Sequence, residues 1–274
     1  MELTGSHVLI TGASRGIGAA MAREFAKAGA RVSVAARTTD AIVGLAKELD
    51  GAAFTVDLLD PDQVDALVPR VEAEAGPIDV MVNNAGLENT NWFHEEDTQR
   101  IRDVVRVNLE TPLVLARAVL PGMLERGKGH LVFTSSIAGS ASFPTLSVYA
   151  GTKAGLNNAA ATIRLELRDT PIHTTLVAPG PVDTAMWDHL EDSPTTTAML
   201  KRLRMLQLIP KKSPELIARR TVAAVRANRR HVRTPRRLSS QFWLGEAPRR
   251  INELVLTGVP LGPNAGDAPR RRAK

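Results

Sequence analysis

A chain of 274 residues with 43% hydrophobic and 23% charged residues has the make-up of a globular protein able to bury a sizeable core, which excludes a disordered chain, a collagen or a coiled coil. It holds no cysteine, excluding disulfide scaffolds, thiol nucleophiles and cysteine-ligated metals; no apolar run nears the roughly 18 residues that span a bilayer and no secretory signal opens the chain, so a cytoplasmic protein is expected. The net charge of +6 conceals an asymmetry, because residues 1–200 carry 16 Lys and Arg against 25 Asp and Glu, while residues 201–274 carry 19 against 4.

Taken in order, short β-branched runs alternate with longer amphipathic stretches, the pattern of parallel strands joined by crossover helices. The spacing predicts strands at 7–11, 31–36, 52–56, 79–83, 130–135, 172–178 and 231–234, with helices that include 16–28, 61–75, 100–125, 148–168 and 215–230. Such helices cover both faces of a sheet, so the expected fold is one α/β domain over residues 1–261, a Rossmann-type doubly wound parallel sheet with right-handed crossovers. Residues 185–212, rich in Met and Leu, read as a helical insertion after the sixth strand. Residues 236–261 read as a C-terminal extension with a short helix after Pro248, and residues 262–274 as a disordered basic tail. The basic excess of this end either draws in an anionic partner, such as an acidic carrier protein or an anionic membrane surface, or is a solvated face with a loose tail. Nucleic acid is not the expected partner.

Between the first strand and the first helix lies Thr11-Gly12-Ala13-Ser14-Arg15-Gly16-Ile17-Gly18. Glycines there permit a tight turn and close approach of backbone to ligand, while free N–H groups and the positive end of the helix dipole suit a diphosphate. Gly12, Ser14, Arg15, Gly16, Ile17 and Gly18 are therefore candidate cofactor-binding residues. In dinucleotide-binding folds an acidic residue about 20 positions further on accompanies NAD. Here the second strand ends Val34-Ala35-Ala36-Arg37-Thr38, and Asp40 falls in the following turn. Arg37, with Arg15 opposite, offers guanidinium forks for a phosphate, which favours NADP(H) over NAD(H).

Tyr149 and Lys153 stand four apart at the start of a predicted helix, on one face. A free phenol ionises near pH 10, and a neighbouring ammonium is expected to lower that value toward use as a general acid/base. Ser135 and Ser136 end the strand just upstream, Asn108 lies in the preceding long helix, and Asn83-Asn84-Ala85-Gly86 follows the fourth strand.

With these residues the chain resembles the classical short-chain dehydrogenase/reductase family, through the T-G-x-x-x-G-x-G loop, Asp57 after the third strand, N-N-A-G at 83–86, Y-x-x-x-K at 149–153 and Pro179-Gly180-Pro181-Val182-Asp183-Thr184 after the sixth strand. The resemblance implies that Tyr149 is the general acid/base, that Lys153 lowers its pKa and binds the nicotinamide ribose, that Ser136 rather than Ser135 bonds the substrate oxygen, and that Asn108 holds a relay water. It further implies that Asp57 and Leu58 face the adenine, that Asn84, Ala85 and Gly86 face the adenosine side, that Val182 and Thr184 lie at the nicotinamide, and that Tyr149, Pro179 and Gly180 also bind the cofactor. Gly151 departs from the residues usual inside that helix and is a poorer helix former.

The implied reaction is hydride exchange between nicotinamide and a carbonyl or alcohol carbon, without a metal; the six histidines lack ligand spacing. The apolar segment 185–212, with Met186, Trp187, Leu190, Met199 and Met205, favours an apolar ketone or secondary alcohol, or else packs against the core or a second subunit in a dimer or tetramer. A 3-oxoacyl thioester presented by an acidic carrier protein or CoA is the alternative substrate. An NADP(H)-binding scaffold whose basic tail engages nucleic acid or membrane is the alternative of another class.

Overall fold

The computed structural model describes residues 1–183, 205 and 211–234. Seven parallel strands form one sheet in the order β3-β2-β1-β4-β5-β6-β7: β1 (His7–Thr11), β2 (Arg31–Ala36), β3 (Ala52–Thr55), β4 (Val80–Asn83), β5 (Gly129–Thr134), β6 (Ile172–Pro179) and β7 (His231–Thr234). Strands buried on both faces need apolar side chains in both directions, and β1, β4 and β5 are buried throughout. Val8, Ile10, Val82 and Val132 face one layer, made by α1 (Gly16–Lys27), α2 (Thr39–Glu48) and α7 (Pro214–Arg226). Leu9, Met81, Leu131 and Phe133 face the other, made by α3 (Pro61–Ala75), α5 (Thr111–Glu125) and α6 (Ser147–Glu166). The doubly wound sheet with helices on both faces is thus present, and its strand order reverses between β1 and β4, where a crevice opens at the carboxyl ends.

Two helical expectations change. The stretch 100–125 is not one helix: α4 (Thr98–Val105) passes into a π-helical turn (Arg106–Glu110) before α5 begins. Pro112 explains the break, because it has no N–H to donate to the carbonyl of Asn108 four residues earlier, and the Thr111 N–H reaches back five residues to Arg106 instead. Asp40, expected in a turn, lies in the first turn of α2, where a carboxylate complements the helix dipole. Gly151 is exposed in α6, and a Cβ there would meet no atom within 4 Å. The expected insertion 185–212, apart from residues 205, 211 and 212, and the extension and tail from 236 onward lie outside the described residues. The base of that insertion is seen: Val182 and Lys212 form a parallel bridge, with Lys212 N–H donating to Pro181 and Asp183 N–H to Lys212, both at 3.0 Å.

At the opposite end of the sheet, His130 is fully buried on β5 beside His173. The Thr175 hydroxyl donates its one hydrogen to the Arg229 carbonyl at 2.8 Å, so at its 2.8 Å contact with His130 Nε2 it accepts, and Nε2 carries the imidazole proton. Nδ1 is left buried and bare. Burial, then His173, the N-terminal ammonium and Arg164, push the His130 pKa down to about 3. A group depressed in the folded state gives stability that is complete above its unfolded pKa of about 6.5 and is lost as pH falls toward the folded value. Between pH 7 and 5 the wild type should therefore lose about 2 kcal/mol more than His130→Gln in urea unfolding; parallel losses in the two proteins would show that His130 does not carry the acid sensitivity.

Candidate active site

The crevice at the switch point is a single cleft of about 1180 Å³ that runs from the glycine loop to the start of α6. Its lining includes Gly12, Ser14, Arg15, Gly16, Ile17, Arg37, Asp57, Leu58, Asn84, Ala85, Gly86, Ser136, Tyr149, Lys153, Pro179, Gly180 and Val182, so sixteen of the eighteen cofactor candidates meet there. Thr184 lies outside the described residues. Gly18 stands behind the wall, where a Cβ would press on the Gly12 carbonyl and the Asn84 amide. Gly12 (φ +66°) and Gly16 (φ +58°) need the left-handed region that glycine alone enters freely.

The loops after β1 and β4 are stapled together. Thr11 Oγ1 accepts from the N–H groups of Asn84 (3.1 Å) and Ala85 (3.3 Å), and Asn84 Nδ2 donates to the carbonyls of Thr11 and Gly12, each at 3.2 Å. A Cβ on Gly12 would fall 2.7 Å from Ala85 Cα. Helix α1 begins after Arg15 with no side-chain cap and no acidic residue in its first turn, so its N–H groups and dipole face the cleft uncompensated. Arg15 and Arg37 are exposed on the same wall, and neither forms an ion pair among the described residues.

At the other end, Lys153 is 3% exposed, donates from Nζ to the Thr134 carbonyl at 3.0 Å, and lies 5.6 Å from the centre of the Tyr149 ring. Ser136 lies in the cleft beside the Tyr149 phenol and lowers its pKa, whereas the buried Ser135 donates to the Lys153 carbonyl at 3.3 Å. Asn108, fully buried on the π-helical turn, donates from Nδ2 to Leu87 O (2.7 Å) and Thr152 Oγ1 (3.2 Å), and accepts from Leu87 N at 2.8 Å. It is a brace behind the cleft and not part of its lining. Thr134 Oγ1 is buried in the cleft wall with no partner, and Gly86 leaves a gap in which a Cβ would lie 3.3 Å from Asn108 Oδ1 and 3.6 Å from Lys153 Nζ.

The electrostatics correct one expectation. Burial pushes Lys153 down to about 8 and Tyr149 up to about 12; the Ser136 hydroxyl lowers the phenol value and the Glu88 carboxylate raises it. Desolvation thus outweighs any lowering of the phenol by the ammonium. Glu88, Asn89, Thr134 and Thr152 were not singled out by sequence. Only the position of Glu88 and Asn89 just past the N-N-A-G turn could have drawn attention to them.

The model of the short chain dehydrogenase family matches residues 6–195. The chain belongs to the short-chain dehydrogenase family. This short-chain dehydrogenase is 37% identical to ketoacyl reductase HetN of Nostoc sp. over 183 residues, 65% of the chain and 64% of the relative, and so spans slightly under two thirds of that protein. It is 30% identical over 194 residues, 70% of the chain and 80% of the relative, to the 3-oxoacyl-acyl-carrier-protein reductase FabG of Escherichia coli. A metagenomic short-chain oxidoreductase solved in complex with NADP matches with a TM-score of 0.68 and 30% identity, covering 85% of this chain and 98% of that one. Solved structures of this fold hold NAD or NADP. Among the described residues no helix is long and apolar enough to cross a membrane, and no three acidic or histidine side chains gather as a metal site.

Tyr149 is the one tyrosine of the chain, so tyrosinate absorbance titrates this site without background. Removing the Glu88 charge relieves repulsion on the phenolate, and Glu88→Gln should ionise at lower pH than the wild type, with both above the value near 10 of the denatured chain. A wild-type phenol that titrates with the denatured chain would refute the burial assigned to it.

Proposed function

We propose that this chain is an NADP(H)-dependent oxidoreductase acting between an apolar ketone and its secondary alcohol, with Tyr149 as the general acid/base. The observation that carries the reading is the meeting of Ser136, Tyr149 and Lys153 in one cleft with the glycine loop. The residues fit a dinucleotide: uncompensated N–H groups at α1, a wall that would not admit a Cβ at Gly12, and the unpartnered hydroxyl of Thr134. Gly12, Ser14, Arg15, Gly16, Ile17 and Arg37 would hold its phosphates, Asp57, Leu58, Asn84, Ala85 and Gly86 its adenosine, and Lys153, Pro179, Gly180, Val182 and Thr184 its nicotinamide end. When bound, the nicotinamide supplies or accepts the hydride.

Within the protein, Ser136 orients the phenol and the substrate oxygen, and Tyr149 passes its proton to that oxygen. A phenol held near 12 keeps its proton at neutral pH, which suits the reductive direction. The buried ammonium of Lys153 stabilises the negative charge that develops as the proton leaves. The side-chain N–H groups of Asn108 are both spent on Leu87 and Thr152, so its share in returning a proton falls to its backbone carbonyl, which Pro112 leaves without an α-helical donor.

A second reading, reduction of a 3-oxoacyl thioester, is supported by the names of the ketoacyl and 3-oxoacyl reductase relatives and by the exposed Arg219, Arg226, Arg229 and Arg230 on and after α7, which suit an acidic carrier. Assembly as a dimer or tetramer and a cytoplasmic setting belong to the same proposal. For the cofactor, Arg37→Asp removes a charge-assisted contact and should weaken NADPH by about 10- to 100-fold while changing NADH little. Equal losses for both cofactors would show that Arg37 does not read the phosphate. Following cofactor absorbance with a small apolar ketone and with a 3-oxoacyl thioester separates the two substrate readings.

A further inference from the structure

Helix α6 has an unusual beginning. Its N-terminal neighbour Leu146 has no side-chain group with which to cap the first turn, and its backbone (φ −110°, ψ 24°) is not the extended form from which a capping side chain reaches inward. Thr145 before it stands at φ +67°, a region that non-glycine residues enter only when held there. The first N–H groups of a helix need acceptors from elsewhere when no local cap exists. For Tyr149, the third residue of α6, that acceptor comes from a different loop 60 positions away: Asn89 Oδ1 takes the Tyr149 N–H at 2.9 Å. The same amide donates from Nδ2 to the carbonyl of the left-handed Thr145 at 3.2 Å. Asn89 is 4% exposed; its bond to Thr145 is buried and its bond from Tyr149 is partly buried.

Asn89 is itself anchored. Two residues before it, Leu87 exchanges both backbone groups with the side chain of Asn108, and the Glu88 carbonyl accepts from Arg100 Nη2. Asn108 also reaches Thr152 Oγ1, which donates to the Tyr149 carbonyl at 2.7 Å. Both backbone groups of Tyr149 are therefore tied to the π-helical turn, the N–H through Asn89 and Leu87, the carbonyl through Thr152.

We propose that Asn89 is a positioning residue for Tyr149, capping the helix that carries the phenol from a second loop and clamping the left-handed turn at Thr145, so that the phenol is held against Ser136 and Lys153. The proposal rests on the reading that Tyr149 transfers the proton. A side chain here that lacks an acceptor frees the first turn of α6 and misplaces the reacting oxygen, a loss that falls on the chemical step more than on cofactor binding.

The test compares wild type, Asn89→Ala and Asn89→Asp in three readouts: steady-state reduction of a small ketone, NADPH affinity by fluorescence, and absorbance titration of the one phenol. Asn89→Ala should lower kcat by about 10- to 100-fold with NADPH affinity within about threefold, and its phenol should titrate lower as it loosens toward water. Asn89→Asp keeps the acceptor for the Tyr149 N–H but loses the donor to the Thr145 carbonyl, and should recover part of kcat, with the phenol still titrating high. Unchanged kcat and phenol titration in Asn89→Ala would overturn the proposal, as would equal losses of kcat, NADPH affinity and melting temperature in Asn89→Ala and Asn89→Asp, the mark of a general packing role. Tyr149→Phe, assayed alongside, reports separately on the underlying assignment: if it retains turnover, that reading fails, and the phenol titration alone then decides whether Asn89 holds the helix.

Discussion

The hydroxyl of Thr11 and the amide of Asn84 hold the molecule's working end together. Parallel strands leave their carboxyl ends open, and at the reversal of strand order between β1 and β4 no helix fills the gap. The four hydrogen bonds that Thr11 and Asn84 make there bring the glycine loop and the N-N-A-G turn into contact. That contact is close enough that Gly12 and Gly18 admit no larger residue. Gly12 is thus required twice, once for its left-handed turn and once because the second loop presses on it, while Gly18 is required by close contact alone.

From that staple the N-N-A-G turn continues into Leu87, Glu88 and Asn89, which lean on the π-helical turn and on the start of α6. The glycine-loop end and the Tyr149 end of the cleft are therefore parts of one hydrogen-bonded frame. The frame places a buried ammonium beside a buried phenol, and burial drives both away from their charged forms, Lys153 to about 8 and Tyr149 to about 12. Groups with such shifted proton affinities in a cleft mark a site of chemistry more strongly than a solvated pair would.

Much of this was legible in the chain itself. Apolar runs such as Val8-Leu9-Ile10 and Val80-Met81-Val82 are buried on both faces, so they read as central strands, and the Pro61 start of α3 after Asp60 carries its own cap, with Asp60 accepting from Asp62 and Gln63. The meeting of Ser136, Tyr149 and Lys153 could be expected because their motifs follow consecutive elements. What escaped depends on tertiary contact. The π-helical turn under Asn108 needs Pro112 to be read as a break in a helix whose apolar pattern runs on. Asn89 escaped because its partner is 60 positions away, and a cap supplied from another loop leaves no local signature. The rise of the Tyr149 pKa escaped because spacing shows the lysine but not the depth of burial that outweighs it.

In the function proposed for this chain, the Tyr149 oxygen transfers the proton in a cleft that binds the nucleotide independently of it. The most direct test is to measure NADPH affinity and ketone turnover on the same preparation of Tyr149→Phe. Affinity within about threefold of wild type and turnover reduced by at least about 1000-fold are expected, since the ring still packs and only the transferable proton is gone; a variant that binds NADPH and retains a tenth or more of wild-type turnover would overturn the assignment of Tyr149.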